Sequence, residues 1–179
     1  MSKWSDFYFE KCINPQSIIN FANKYAPFLS EVAKPGGISI EFGAGTGLVS
    51  RLTFNNTYQV LLDNDYDMLA LARVINSYRG YNRVAVIHWD ILESYYKHTM
   101  FNVAHSHGVL EHFNDGDIRR IVRNMRDCAS SVVCYVPSSR YTYKSFGDER
   151  LLTPKAWKKI CNPKEIIEFN DGYDLILKW

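Results

Sequence analysis

The feature that most constrains the fold is a short apolar segment that runs into three closely spaced glycines. Residues 38–42 (ISIEF) are mostly apolar, with glycines before and after them, and such a run is typical of a buried strand. Gly43, Gly45 and Gly47 follow at alternate positions, and residues 48–52 then favour a helix. Because glycine has no side chain, a strand–turn–helix of this kind exposes backbone groups to a ligand. The sequence therefore predicts a ligand-binding turn at these glycines.

Strand-like and helix-like segments alternate along the rest of the chain. The predicted strands cover residues 58–63, 84–88, 101–107 and 131–136, and the predicted helices cover roughly 66–79, a segment from Asp117, and 154–160. Two last apolar runs flank Asn170-Asp171-Gly172, which indicates a hairpin. Strands separated by helices form a largely parallel sheet, and a hairpin adds an antiparallel edge. We expect one α/β domain over residues 1–179, with 1–35 as a helical lid segment.

Composition excludes some classes of protein without choosing among the rest. The 21 basic and 19 acidic residues give a net charge of +2, which argues neither for nor against a nucleic-acid partner. The chain has no apolar run of about 18 residues and no basic segment followed by an apolar one, so we expect no membrane span and a cytoplasmic location. Its four scattered cysteines include no CxxC pair, which favours reduced thiols over a structural zinc site.

The spacing of the glycines and the acidic residues around them narrow the choice of ligand. Dinucleotide-binding turns have G-x-G-x-x-G, and the third glycine lets the helix pack closely on the strand. Counted from Gly43, that position is Leu48, which disfavours an NAD(P)-dependent oxidoreductase. Glu41, two residues before Gly43, suits a positively charged ligand end better than a pyrophosphate. Asp63 and Asp90 end later strands, where a hydroxyl-rich or amine-bearing ligand would explain buried carboxylates.

Four motifs, in order, resemble those of class I S-adenosylmethionine-dependent methyltransferases, in their small-molecule-type, "type 11"-like branch. They are EFGAGTG at 41–47, LLDND at 61–65, HWDI at 88–91 and SHGVLEHF at 106–113. Each motif alone is weak, but four in register make the resemblance specific. It implies a Rossmann-like, seven-stranded, mostly parallel sheet with an antiparallel C-terminal hairpin and helices on both faces. One departure is Asn102, where the family often has aspartate.

The resemblance also implies a cofactor, S-adenosylmethionine, and a role for each matched position. The implied cofactor-binding residues are Glu41, Gly43, Ala44, Gly45, Asp63, Asn64, Trp89, Asp90, Ile91 and His107. Asp63 would bind the two ribose hydroxyls, and Asp90 would accept a hydrogen bond from the adenine amino group. His107 would contact the methionine amino end through its backbone carbonyl. Two simpler roles stay open, because Asp90 could cap the segment after it and Trp89 could belong to the core.

Methyl transfer from a sulfonium needs alignment and, for a hydroxyl or amine acceptor, a base. The candidates after the fourth strand are His107, Glu111 and His112, together with His105 on the same side of the strand. Similar ubiquinone-pathway O-methyltransferases bind a metal through Glu-x-x-Glu-His. Gly108 replaces the first glutamate here, so we expect no metal. Glu111 and His112 could equally hold the loop by hydrogen bonds.

Aromatic segments are expected to surround the methyl acceptor. They are the N-terminal cluster Trp4, Phe7, Tyr8 and Phe9, then Tyr95, Tyr96 and His98, then Tyr141, Tyr143 and Phe146. Loops in such positions usually define the substrate, and an aromatic mouth suits a flat or apolar small molecule. The basic stripe Arg119, Arg120, Arg123 and Arg126 is better explained as a solvated helix face.

We therefore expect a methyltransferase that acts on a small-molecule acceptor. A nucleic-acid or protein methyltransferase, a non-catalytic cofactor-binding or regulatory domain and an NAD(P)-dependent oxidoreductase stay open as alternatives. The sequence also leaves the oligomeric state open, since a cover over the site could come from residues 1–35 or from a partner chain.

Overall fold

The computed structural model describes residues 3–10, 15–34, 36–54, 57–77, 83–94, 100–144 and 147–179. This part of the chain contains seven strands and six α-helices. The strands are β1 (Ile38–Phe42), β2 (Tyr58–Asp63), β3 (Val84–His88), β4 (Phe101–His107), β5 (Ala129–Pro137), β6 (Glu165–Phe169) and β7 (Asp174–Lys178). The helices are α1 (Lys3–Glu10), α2 (Pro15–Ser30), α3 (Leu48–Thr53), α4 (Tyr66–Ser77), α5 (Asp115–Cys128) and α6 (Pro154–Cys161), and a short 3₁₀ helix covers Leu110–His112. Cys12, Tyr95, Tyr96, His98 and Phe146 lie outside the described residues.

The strands form one sheet in the order β3-β2-β1-β4-β5-β7-β6. Strands β1 to β5 pair in parallel, and β7 runs antiparallel to both β5 and β6. The mostly parallel sheet with an antiparallel C-terminal hairpin is thus confirmed. The chain leaves β1 towards β2 on one side and reaches β4 on the other. In open sheets of this kind, the crevice between two such strands, beyond their carboxyl ends, is where a ligand binds.

Apolar side chains on both faces of the sheet form two core clusters. On β4 and β5, alternate residues point to opposite faces, so Ala104 and Val132 join one cluster while Val103 and Val133 join the other. The first cluster contains the buried faces of α5 and α6, and the second contains those of α2 and α3. Helices therefore cover both faces, as expected for a Rossmann-like fold.

Side-chain caps mark the starts of α4 and α5, as one also does for α6. The predicted cap Asp65 is confirmed, because its Oδ1 accepts hydrogen bonds from the backbone N–H of Asp67 (3.0 Å) and Met68 (3.1 Å). Helix α5 begins at Asp115, two residues before the predicted start. Its cap is Asn114, whose Oδ1 accepts from Gly116 N (2.8 Å) and Asp117 N (3.0 Å).

The N-terminal aromatic and amphipathic segments form α1 and α2. Tyr25 on α2 is fully buried, and its hydroxyl oxygen lies 3.2 Å from the carbonyl oxygens of Ser106 and Val133, which can share its single proton. This contact fixes α2 against β4 and β5. At the start of β4, Asn102 Oδ1 accepts from Ile38 N at 2.8 Å, which ties β4 to β1. No helix among the described residues is long and apolar enough to cross a membrane.

Candidate active site

A cavity of about 380 Å³ opens at the carboxyl ends of β1, β2 and β4. Its wall contains most of the cofactor positions expected from the sequence: Glu41, Gly43, Ala44, Gly45, Asp63, Asn64, Ile91 and His107. It also contains residues that sequence reasoning had not singled out for this site: Phe21, Thr46, Leu48, Val49, Met68, Val109 and Phe113. Leu48 and Val49 could have been found, because the first turn of a helix that follows a ligand-binding turn must face the ligand.

Two glycines of the turn cannot be replaced without strain. Gly43 has φ +69° and Gly47 has φ +66°, in the left-handed region that side chains disfavour. A Cβ on Gly43 would lie 2.8 Å from Val109 Cγ2, and one on Gly47 would lie 2.3 Å from Leu61 Cδ1. The chain therefore turns tightly here with its backbone at the cavity wall.

Asp63, at the end of β2, anchors this turn. Its Oδ2 accepts a hydrogen bond from Gly45 N at 2.7 Å, and its Oδ1 accepts one from Asp65 N at 3.0 Å. Only 8% of the residue is exposed, and burial raises the pKa of its carboxyl, while backbone hydrogen bonds oppose that rise. A carboxylate offers about four lone-pair sites, so acceptor capacity remains for a ligand in the cavity.

Glu41, on β1, is a buried carboxyl next to the turn. Burial raises its pKa to about 8, a contact with Ser50 opposes the rise, and the nearby Asp63 adds to it. Its Oε2 has no hydrogen-bond partner among the described residues. Such an atom is costly to bury alone, and an amino group in the cavity would satisfy it.

His105 is fully buried beneath the turn and lines neither this cavity nor the second one described below. Its Nε2 lies 2.9 Å from Ser50 Oγ. Burial, with a smaller effect from His107, lowers its pKa to about 3, so the ring is neutral. The expectation that His105 could act as a base is therefore corrected: Ser50 covers the ring on the side of α3.

His107 lies at the end of β4 among aromatic rings. Its ring centroid is 4.2 Å from that of Phe21 and 4.9 Å from that of Tyr135. Burial lowers its pKa to about 4, so the ring is neutral near pH 7. Its Nε2 is buried and has no hydrogen-bond partner within the described part of the chain.

Glu111 and His112 follow in the 3₁₀ helix and differ in their surroundings. Glu111 is only 3% exposed, and burial raises the pKa of its carboxyl to about 8, with smaller contributions from Glu149 and Asp148. His112 Nδ1 forms a 2.6 Å hydrogen bond with Asp148 Oδ1, and its ring packs edge-on against Trp4 at 5.1 Å. The loop-holding role left open for His112 is thus present in the structure.

A second cavity of about 330 Å³ adjoins the first. The residues in both walls are Trp4, Phe21, His107, Gly108 and His112. The rest of its wall combines aromatic and charged side chains, and includes Phe7, Tyr135, Tyr141, Tyr143, Lys144, Glu111 and Glu149. Trp4 and Phe7 of the N-terminal cluster therefore meet Tyr141 and Tyr143 at one chamber, next to the first cavity.

Two of the expected cofactor positions do not line the first cavity as far as the structure describes it. Asp90 is exposed, and its Oδ1 accepts from Leu92 N at 2.9 Å, which is the capping role left open above. Trp89 packs against the core, and its Nε1 donates to the Glu93 carbonyl at 3.3 Å. Among the described residues, no three His, Cys, Asp or Glu side chains are grouped as a metal would require.

Comparison with solved structures shows the fold. The PH0226 protein from Pyrococcus horikoshii OT3 superposes with a TM-score of 0.80 at 15% identity, over 93% of this chain and 92% of that one. A SAM-dependent methyltransferase from Aquifex aeolicus gives a TM-score of 0.77 at 12% identity, over 99% and 97% of the two chains. A chain from the complex between the Haloferax volcanii Trm112 methyltransferase activator and the putative methyltransferase superposes with a TM-score of 0.70 at 11% identity. The match covers 88% of this chain and 87% of that one.

A family model decides the class of enzyme. Residues 40–131, just over half of the chain, match the model described as "Methyltransferase domain". The chain therefore belongs to this family and is an S-adenosylmethionine-dependent methyltransferase, as its glycine turn and strand-end carboxylates had suggested. No curated protein sequence gives a significant match.

Proposed function

We propose that this enzyme methylates a small molecule, with S-adenosylmethionine in the 380 Å³ cavity and the acceptor in the adjoining 330 Å³ cavity. The observation that carries the proposal is the pair of cavities with a common wall at the end of β4. Two reactants held in adjoining chambers gain the proximity and alignment that methyl transfer requires. A chamber of this size suits a small acceptor better than a polymer.

The residues of the first cavity fit this cofactor. The remaining acceptor capacity of Asp63 suits ribose hydroxyls, and the Glu41 Oε2, which has no partner among the described residues, suits the amino end of the methionine part. Asn64 and Ile91, in the same wall, would contact the adenine. When bound, the cofactor supplies a methyl group that its sulfonium already activates. The chain has to hold and orient the two reactants, exclude water and accept a proton.

Glu111 is better suited than His107 to take that proton. At a pKa of about 4, His107 is too weak a base to hold a proton near pH 7, although its ring can orient a ligand. The pKa of Glu111, about 8, is close to the working range of a general base. We assign proton transfer to Glu111. We assign to His107 and His112 the role of holding the cavity wall in place.

The position of the basic stripe favours a small acceptor over a nucleic acid. Arg119, Arg120, Arg123 and Arg126 are exposed along α5, and none of them lines either cavity. Arg119 donates to the Ile160 carbonyl at 3.0 Å, and Arg120 pairs with Glu93 at 3.5 Å. These contacts support the interpretation of the stripe as a solvated helix face.

Isothermal titration with S-adenosylmethionine, and separately with NAD, tests the cofactor assignment. We expect the sulfonium to bind and Asp63→Asn to weaken it about tenfold to a hundredfold, because hydrogen bonds to a charged acceptor contribute roughly 1.5–3 kcal/mol. Asp127→Asn, which removes an exposed carboxylate on α5, is the matched control and should bind as the wild type does. Binding of NAD but not of the sulfonium, or full affinity in a folded Asp63→Asn variant, would refute the assignment.

A further inference from the structure

The second cavity contains two buried carboxyl side chains in a largely aromatic wall. Glu111 is 3% exposed and Glu149 is 4% exposed. The loops that carry them are joined, since Arg150 N donates to the Glu111 carbonyl at 2.8 Å. Gly147 N donates to Glu149 Oε2 at 2.7 Å, which orients that carboxyl. Burying the Glu111 carboxyl within electrostatic reach of Glu149 is costly unless something compensates its charge.

Two described basic side chains of the loop that carries Glu149 do not compensate Glu111. Arg150 follows Glu149 directly, but its guanidinium donates to Asp115 Oδ1 at 2.6 Å and to the Phe113 carbonyl at 2.7 Å. Lys144, in the cavity wall, is an exposed side chain. Glu111 Oε2 is buried and has no hydrogen-bond partner in the described part of the structure. The wall therefore has a buried carboxyl oxygen that no described group satisfies, and a positive charge placed beside Glu111 would favour the ionised form of that carboxyl.

The rest of the wall also suits a positive charge. The rings of Trp4, Phe21 and Tyr135 line the chamber, and the faces of aromatic rings attract cations. His107 is neutral near pH 7, so it does not repel a cation at the boundary between the two cavities. A hydroxyl-bearing acceptor would satisfy the Glu111 oxygen but would gain nothing from the second carboxyl or from the ring faces.

We propose that the methyl acceptor is a small primary or secondary amine, which binds as an ammonium in the second cavity with its nitrogen at the Glu111 carboxylate. This inference rests on the proposed function of the two cavities. The ammonium first gives one N–H proton to Glu111, which leaves a lone pair on nitrogen. That lone pair forms the new N–C bond as the S–C bond breaks, and the electrons of the broken bond stay on sulfur. The products are the methylated ammonium, the neutral thioether and a protonated Glu111.

A pair of probes of equal shape tests this inference on the enzyme saturated with S-adenosylhomocysteine. 2-Phenylethylamine and 2-phenylethanol each have one ring and a two-carbon chain, and they differ in having an ammonium or a hydroxyl group. Titration near neutral pH should show the amine binding about tenfold or more tightly than the alcohol, since a charge-assisted hydrogen bond is roughly twice as strong as a neutral one. Equal affinities, tighter binding of the alcohol or no binding of the amine would overturn the inference.

Two variants locate the preference. Glu111→Gln should abolish the difference between the two probes, whereas Glu168→Gln, which removes an exposed carboxylate on β6 outside both walls, should keep it. S-adenosylhomocysteine binding is measured on all three proteins. Wild-type protein that fails to bind it refutes the proposed function, whereas binding without a preference for the amine refutes only this inference. If circular dichroism shows that Glu111→Gln does not fold, the two wild-type titrations alone test the inference.

Discussion

Gly43 allows a quantitative test of the glycine turn, because both its backbone and its surroundings exclude a side chain. In Gly43→Ala the residue must keep φ near +69°, which costs an L-residue roughly 1–2 kcal/mol. The new Cβ would also lie 2.8 Å from Val109 Cγ2 and 3.1 Å from Val109 Cγ1. Overpacking of this kind costs about 1–3 kcal/mol. The free energy of unfolding should therefore fall by about 2–5 kcal/mol in total.

Gly36 separates the two contributions. It has φ +74°, but a Cβ placed on it would have nothing within 4 Å. Gly36→Ala should therefore lose only the backbone contribution, about 1–2 kcal/mol. The variant Val109→Ala should recover the steric part of Gly43→Ala, so the double-mutant cycle should show a favourable coupling of about 1–3 kcal/mol.

Urea unfolding of the four variants and the wild type, followed by circular dichroism, measures these values. The reasoning is refuted if Gly43→Ala is no less stable than Gly36→Ala. It is also refuted if Gly43→Ala and Val109→Ala combine additively, because the predicted clash would then be absent.

The pH profile of the ligand-free protein and the cap of α5 give two more tests. Glu41 and Glu111, with pKa values of about 8, keep protons in the folded state that they release on unfolding. The free energy of unfolding should therefore fall as pH rises from about 6.5 to 8, by up to roughly 1.4 kcal/mol per pH unit for each group. His105 and His107, with pKa values of about 3 and 4, gain protons on unfolding, so stability should also fall as pH drops below about 4.5. Between about pH 4.5 and 6.5 the effects of the histidines and of the glutamates should cancel and give a plateau. Urea midpoints across this range measure the profile, and stability that climbs steadily to pH 8 would contradict it. Asn114→Ala should lower the free energy of unfolding by about 1 kcal/mol, because two helix N–H groups lose their acceptor; an unchanged urea midpoint would show that the cap contributes little.

The acidic residues at the ends of the central strands could be predicted from the sequence. Glu41 and Asp63 stand at or near the ends of apolar runs, and the carboxyl ends of parallel strands meet at one edge of a sheet. The structure places both side chains in the wall of one cavity. Hydrophobic pattern and glycine spacing were enough here, because β1 and β2 are neighbours in the sheet.

The positions after β3 were harder to assign. β3 is the edge strand, two positions away from the crevice between β1 and β4, and of Trp89, Asp90 and Ile91 only Ile91 lines the cavity among the described residues. Periodicity identifies a strand but does not determine its distance from that crevice. Periodicity also does not show which residues of a strand reach a cavity. His105 and His107 lie on the same side of β4, but only His107 lines a cavity.

The second cavity was the least predictable part of the site. Its wall combines Trp4 of α1, Phe21 of α2, Glu111 of the 3₁₀ helix, Tyr135 of β5 and Glu149 of a late loop. These residues are distant in the sequence, and only tertiary packing brings them together. The aromatic segments and Glu111 were recognised, but no local sequence pattern places Glu149 in the same wall as Glu111.

The wall that the two cavities have in common has a consequence for inhibitor design. Five residues line both chambers: Trp4, Phe21, His107, Gly108 and His112. On the proposed assignment of the two chambers, a nucleoside and an ammonium group joined by a short chain would occupy both as one compound. Once the nucleoside is bound, the tethered ammonium would be present at an effective concentration on the order of millimolar, so the compound would bind more tightly than either half without any new contact. The proposed function thus predicts that a bisubstrate compound inhibits this enzyme.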